Sequence, residues 1–247
     1  MKDIRDFWKR ILGENAANSC ATPKAVFMAG GPGSGKSSVI RKLNLRSTLE
    51  VVNPDDAYEA GLRDAGIPLD RESILTQYKP IKDEYLTAVE AGDTETVDRL
   101  DPEYQRLRGI LSQNMKIFAA ARKSAKERQA SLAQCRDNFL IDGTGGDLRA
   151  TMKQIRVLRD SGYDVAMIFV DVPLQTSIER NQARGSRGGR RLADSTVERS
   201  WSAVDRNKDA YAEELAENFF LIDASEDNFD DSIAAAMGPV QQFLRRE

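Results

Sequence analysis

The chain has 247 residues, a net charge of −3, 40% hydrophobic residues and 30% charged ones, which suits one large α/β domain or a core domain carrying an insertion. It contains no histidine, so acid–base chemistry must fall to carboxylates, lysine or tyrosine. Cys20 and Cys135 form no CxxC pair, which argues against a disulfide framework or a zinc site, and the slightly acidic balance does not advertise nucleic-acid binding.

The opening Met1-Lys2-Asp3-Ile4-Arg5-Asp6 is too charged for a signal peptide, and no run approaches membrane-spanning length, so a cytoplasmic protein is expected. Ile4, Phe7, Trp8, Ile11 and Leu12 recur at helical spacing and predict a short amphipathic helix over about 3–13, a face for the core or for a partner. After a linker from Asn18 to Pro23, the apolar run Ala25 to Ala29 reads as a buried strand.

A glycine loop follows at once. Gly30-Gly31-Pro32-Gly33-Ser34-Gly35-Lys36-Ser37 matches G-x-x-x-x-G-K-[ST], with a strand before it and a helix, Ser37 to Leu45, after it. Glycines let backbone N–H groups turn inward and approach an anion with no Cβ in the way, and the helix start adds its positive end. Lys36 is expected on the β- and γ-phosphates of ATP and the Ser37 hydroxyl on Mg²⁺, with Ser38 completing the nucleotide-binding set. A plain glycine turn needs neither Lys36 nor Ser37.

Leu49 to Val52 reads as a second strand ending in Asn53-Pro54-Asp55-Asp56. Ligand crevices lie at the carboxyl ends of parallel strands. A carboxylate there can take the proton of an attacking hydroxyl. Asp55 is read as that base, and Asp56 as a helix cap or substrate contact. About 57–136 carries no strand signal. Ile74, Tyr78, Ile81, Tyr85 and Val89, then Tyr104, Leu107, Leu111, Met115 and Phe118, recur with helical period, punctuated by Pro68, Pro80, Gly92 and Pro102. This predicts a helical insertion within a single 1–247 domain.

Sheet signals then return. Phe139 to Ile141 ends in Asp142-Gly143-Thr144, where Asp142 suits a water-mediated hold on Mg²⁺ and Thr144 a substrate hydrogen bond. Leu148 to Arg159 reads as helix, Val165 to Val170 as strand, Val197 to Leu215 as helix, Phe219 to Ile222 as strand and Ile233 to Phe243 as helix. Strands alternating with helices imply a parallel sheet covered on both faces. Arg180, Arg184, Arg187, Arg190 and Arg191 lie among Gly185, Gly188 and Gly189. The readings are a lid over 180–191 that closes on the transferred phosphoryl group, a nucleic-acid contact, or a solvated surface.

Together Gly30–Ser37, Val51–Asp56, Leu140–Thr144, Gly162-Tyr163-Asp164-Val165 and Glu179-Arg180 through Arg191 resemble the zeta toxin family of P-loop kinases, with polynucleotide kinase as a relative. The resemblance implies a five-stranded parallel sheet of order 2-3-1-4-5 flanked by helices. It also implies Lys36 and Ser37 on ATP and Mg²⁺, Asp55 as base, Thr144 near the substrate, and Arg180 with Arg190 or Arg191 on the transferred phosphate. Glu127 falls where an acidic substrate contact is expected. Zeta toxins phosphorylate a sugar hydroxyl of UDP-N-acetylglucosamine, so a small-molecule acceptor is expected here, and an antitoxin-like partner at the first helix or the insertion. The insertion is longer than the resemblance leads one to expect, so it leaves the acceptor open. Polynucleotide kinases carry an arginine shortly after the base, whereas Tyr58 and Glu59 follow here. A 5′-hydroxyl polynucleotide kinase, with Lys116, Arg122, Lys123, Lys126 and Arg128 as a basic strip, is the second reading, and a nucleotide-gated binding module the third.

Overall fold

A computed structural model describes residues 22–246; the amphipathic segment at 3–13 lies outside them. Five strands form one parallel sheet of order β2-β3-β1-β4-β5. They are β1 (Lys24–Ala29), β2 (Glu50–Val52), β3 (Phe139–Asp142), β4 (Asp164–Asp171) and β5 (Phe219–Asp223). The expected order is thus the observed one. Among the described residues the helices are α1 (Lys36–Lys42), α2 (Pro54–Asp64), α3 (Arg71–Ala91), α4 (Thr94–Cys135), α5 (Leu148–Asp160), α6 (Leu174–Ser186), α7 (Asp194–Leu215) and α8 (Phe229–Arg245).

The chain divides into two compact units. The first holds the sheet. Successive side chains of a strand point to opposite faces, and the central strands are apolar on both. Val26, Met28, Leu140, Ile168 and Val170 pack with Val39 and Ile40 of α1 and with Ile233, Val240 and Phe243 of α8. Ala25, Phe27, Phe139, Val165, Met167 and Phe169 pack with the end of α4, with Ile155 and Leu158 of α5, and with Val204 and Tyr211 of α7. That two-sided burial explains why these strands read as continuous apolar runs. Register pairs Met28 with Asp142 and Asp171 with Asp223, so the polar strand ends gather at one edge of the sheet.

The second unit comprises 54–124 and 182–193. Its core is Tyr58, Leu62, Ile67, Ile74, Leu107 and Ala121. Asp70 accepts the backbone N–H groups of Glu72 and Ser73 at 3.0 and 3.3 Å and starts α3, and Gly92, with φ of 71°, ends it. Pro80 and Pro102, expected as punctuation, lie inside α3 and α4. Each removes one backbone donor. Around Pro102 the stacking of Tyr104 on Tyr85, with centroids 4.3 Å apart, holds the helices together. The expected apolar stripe also drifts, since Val89 and Met115 are 49% and 52% exposed while Asn114 is buried.

Candidate active site

The phosphate loop is built as its sequence demands. Gly30, Gly33 and Gly35 have φ of 145°, 78° and 96°, a region that glycine alone enters freely. A Cβ on Gly33 would stand 2.5 Å from the Ser177 carbonyl oxygen. The loop is braced from outside: Ser177 Oγ donates to the Pro32 carbonyl, and the Gly30 N–H donates to the Thr144 carbonyl at 2.9 Å. Lys36 Nζ turns back into the loop and donates to the Gly30 and Gly31 carbonyls at 2.8 and 3.0 Å and to Ser34 Oγ at 3.5 Å. Ser37, at the first turn of α1, is exposed.

Asp142 ends β3, and its Oδ2 accepts from Asn53 Nδ2 at 3.1 Å. The ends of β2 and β3 are thereby tied. Thr144 acts through its main chain on Gly30, while its own hydroxyl accepts the Gly146 N–H at 3.3 Å. Arg180 Nη2 donates to the Ala224 carbonyl at 3.0 Å, just past β5, and Arg180 Nη1 lies 3.8 Å from where a Gly35 Cβ would stand. The guanidinium therefore sits against the phosphate loop, with one nitrogen engaged by the chain after β5.

One face of α7 braces this half, and the sequence reading did not single it out. Trp201 Nε1 donates to the Val172 carbonyl at 2.7 Å and the ring covers Gly31. Asn207 Nδ2 donates to the Gly145 and Gly146 carbonyls at 2.9 and 3.0 Å, and Tyr211 Oη donates to Gly145 at 2.7 Å. Lys208 pairs with Asp171 at 2.8 Å, and that bond raises the ammonium above its ordinary value. Spacings of 3, 4 and 3 from Trp201 through Val204 and Lys208 to Tyr211 were visible as a helical face.

In the second unit α2 begins at Pro54, so Asp55 and Asp56 both lie in its first turn. Asp56 therefore lies inside the first turn and not at the cap position it was given. Arg190 grips Asp55 with two bonds, Nη1 to Oδ1 at 3.0 Å and Nη2 to Oδ2 at 2.6 Å. Arg184 pairs with Glu59, which also accepts from Arg63 at 3.2 Å. The segment read as a lid over 180–191 is helical as far as Ser186, leaving 187–191 as its irregular part. Arg191 packs its stem where a Gly185 Cβ would lie. Glu127 is exposed on α4. Its neighbour Arg128 pairs at 3.2 Å with Glu50, the first residue of β2, so this turn sits at the amino end of the sheet, away from Asp142. Glu127 is thus not brought to the strand ends, because α4 returns to the start of β3 and not to its end.

A Mg²⁺ ion fits the donor set of the first unit. Ser37 and Asp142 offer hard oxygen ligands, and Mg²⁺ takes few protein ligands beside water and phosphate. Among the described residues no cluster of three acidic or sulfur ligands forms a closed metal cage. No described helix is long and apolar enough to cross a membrane.

A protein-family model described as an AAA domain matches residues 26–211. No curated protein matches the sequence. Among solved structures, a protein named provisionally as a kinase, from Chloroflexus aurantiacus, superposes with a TM-score of 0.56 at 16% identity, covering 91% of this chain and 100% of that one. A chain of the PezAT toxin–antitoxin system of Streptococcus pneumoniae superposes with a TM-score of 0.52 at 13% identity, covering 100% of this chain and 98% of that one. At such identities these likenesses concern the fold.

Proposed function

The chain belongs to the AAA domain family, and on that premise we propose that it is an ATP- and Mg²⁺-dependent kinase that moves the γ-phosphoryl group to a hydroxyl of a small molecule, a nucleotide-sugar being the favoured class. The observation that carries this reading is the Lys36 ammonium held inside a loop of three left-handed glycines by carbonyls that a phosphate oxygen can replace. In the reaction the acceptor oxygen bonds to the γ-phosphorus, the bond from that phosphorus to the β–γ bridging oxygen breaks, and ADP leaves. The hydroxyl proton passes to Asp55. Lys36 and the loop N–H groups hold the β- and γ-phosphates. Ser37 and Asp142 would hold Mg²⁺, which when bound neutralises phosphate charge. Arg180 holds the phosphate side, and Arg190, with Arg191 beside it, meets the transferred group. A guanidinium suits that task because it stays charged and grips oxygen pairs.

The nucleotide-sugar class rests on the zeta toxin resemblance, supported in fold by the PezAT neighbour. The exposed cations Lys116, Arg122, Lys123, Lys126 and Arg128 favour the second reading, a 5′-hydroxyl polynucleotide kinase. An antitoxin-like protein partner at the amphipathic 3–13 sequence or the 57–136 segment belongs to the same proposal. The test is transfer of label from γ-labelled ATP to a panel of UDP-sugars, nucleosides, short 5′-hydroxyl oligonucleotides and water. Labelled UDP-sugar is the expected result. Label on oligonucleotides, retained on single-stranded DNA in a salt-dependent way, moves the assignment to the second reading. No transfer to any acceptor overturns the proposal.

A further inference from the structure

The first two turns of α2 carry Asp55, Tyr58 and Glu59, positions that share one side of a helix. Asp55 takes Arg190 and Glu59 takes Arg184, all within the second unit. Between the two carboxylates Tyr58 presents its ring to Arg190, whose guanidinium carbon lies 5.8 Å from the ring centre. The rest of Tyr58 is locked. It is 5% exposed, Phe118 meets its ring edge-on at 5.3 Å and 77°, and its hydroxyl donates to Asn114 Oδ1 at 2.8 Å.

Asn114 is the unexpected member. It is 1% exposed, on the buried seam of α4, and its Nδ2 has no hydrogen-bond partner among the described residues. A buried amide left half-satisfied is a poor way to stabilise a core. Phenylalanine at 58 with leucine at 114 would fill similar space without that cost. What the polar pair supplies is direction: it fixes the plane of the Tyr58 ring.

We propose that Tyr58, oriented by Asn114, is a positioning residue for Arg190 and through it for Asp55. The proposal rests on the kinase reading above. In the observed state Arg190 occupies both oxygens of Asp55. A base in that grip must be released before it takes a proton. The aromatic face gives the guanidinium a second favourable seat during that release, since a cation over a ring is attracted by its quadrupole. Arg190 then moves between Asp55 and a phosphoryl group without straying into solvent.

The test uses the full chain with Tyr58→Leu, Tyr58→Phe and Asn114→Leu, each checked by circular dichroism. An arginine-specific protease reports on the tether without catalysis. Cleavage after Arg190 in unliganded protein should be several-fold faster in Tyr58→Leu and intermediate in Tyr58→Phe, which keeps the ring but loses the bond to Asn114 that orients it. Hydrolysis of ATP, with water as acceptor, should lose about tenfold in kcat in Tyr58→Leu with KM for ATP unchanged, the size of one good cation–π contact. Asn114→Leu, which deletes the same bond, should match Tyr58→Phe. Folded Tyr58→Leu protein with wild-type nicking and wild-type kcat overturns the proposal. Lys36→Ala is run beside it. Undiminished hydrolysis in Lys36→Ala overturns the kinase reading instead, and the protease comparison keeps its meaning.

Discussion

Lys36 and Asp55 stand at opposite ends of what a sequence can announce. Lys36 was legible because the chemistry is local: eight consecutive residues fix the backbone, and the ammonium has one place to go. Lys36→Ala is expected to abolish label transfer while leaving the melting temperature within a few degrees, because the side chain touches loop carbonyls and not the core. Turnover at the wild-type rate would contradict the assignment. Asp55 was legible only as one of two adjacent carboxylates, and Arg190 only as one of a run of arginines; that the two would pair was not legible. Arg190 lies 135 residues away, so that pairing is a product of folding. Tyr58 and Glu59 were noted as a departure from a relative's pattern, and their contacts came into view only with Arg184 and Arg190 beside them. Asp55→Asn should retain ATP binding and lose transfer by about 10²-fold or more, the scale of a general base. Asp56→Asn, one residue on in the same turn, should cost far less. A reversed order in acceptor kinetics would move the base to Asp56.

At the scale of elements, part of the family-like signature turns out to build the fold. Gly162 takes φ of 78°, and the Tyr163 hydroxyl donates to the Asp137 carbonyl at 3.1 Å, tying the start of β4 to the chain between α4 and β3. Burial pushes that phenol well above its ordinary value, so it stays a neutral donor. Asp164 pairs at 3.1 Å with Lys24, which is 2% exposed. Asp164→Ala leaves a buried ammonium without its carboxylate and should destabilise by about 3 kcal/mol, the low end for a broken buried pair because Asp164 is partly exposed. Urea unfolding would measure it, and a loss below a few tenths would show that Lys24 finds another partner. Asp223, at the end of β5, is held below its ordinary carboxylate value first by the Ser225 backbone N–H and also by Asn228. The unfolded chain then binds this proton more readily than the folded one. Its contribution is full above the ordinary value of 3.8 and is lost as the pH falls through the lower folded value. The fall in stability between about pH 5 and pH 3 should therefore be shallower in Asp223→Asn than in the parent. Equal slopes in urea melts would remove Asp223 from the account.

For the whole molecule, sheet order and strand positions were readable because a parallel sheet buried on both faces leaves continuous apolar runs that helices separate. The helical stretch was readable as helix but not as packing. Its proline and stripe signals misplaced the seam, since the helix runs on through Pro102 and since buried Asn114 looks polar in any hydropathy count. The route of the chain bears on acceptor choice. Residue 54 follows directly on the strand-end residue Asn53, whose amide holds Asp142, so the segment enters from the carboxyl end of the sheet. It leaves through α4, which returns to the amino end of β3, so only its entry is covalently tied to that end. Acceptor contacts are thus expected to concentrate toward α2 and its packing partners rather than evenly along 57–136. On the proposed reading the phosphate loop, Asp142 and Arg180 serve ATP and distinguish no acceptor. Polar-to-alanine substitutions on α2 other than at Asp55 and Tyr58 should therefore raise the acceptor KM with ATP affinity nearly unchanged, the pattern of lost uniform binding, while those near the α3–α4 turn at Gly92 should alter neither. Kinetics with both substrates varied would decide it. An acceptor KM that responds at the α3–α4 turn and not on α2 would place recognition at the far end of the helical pair, and the route of the chain would then say nothing about the acceptor.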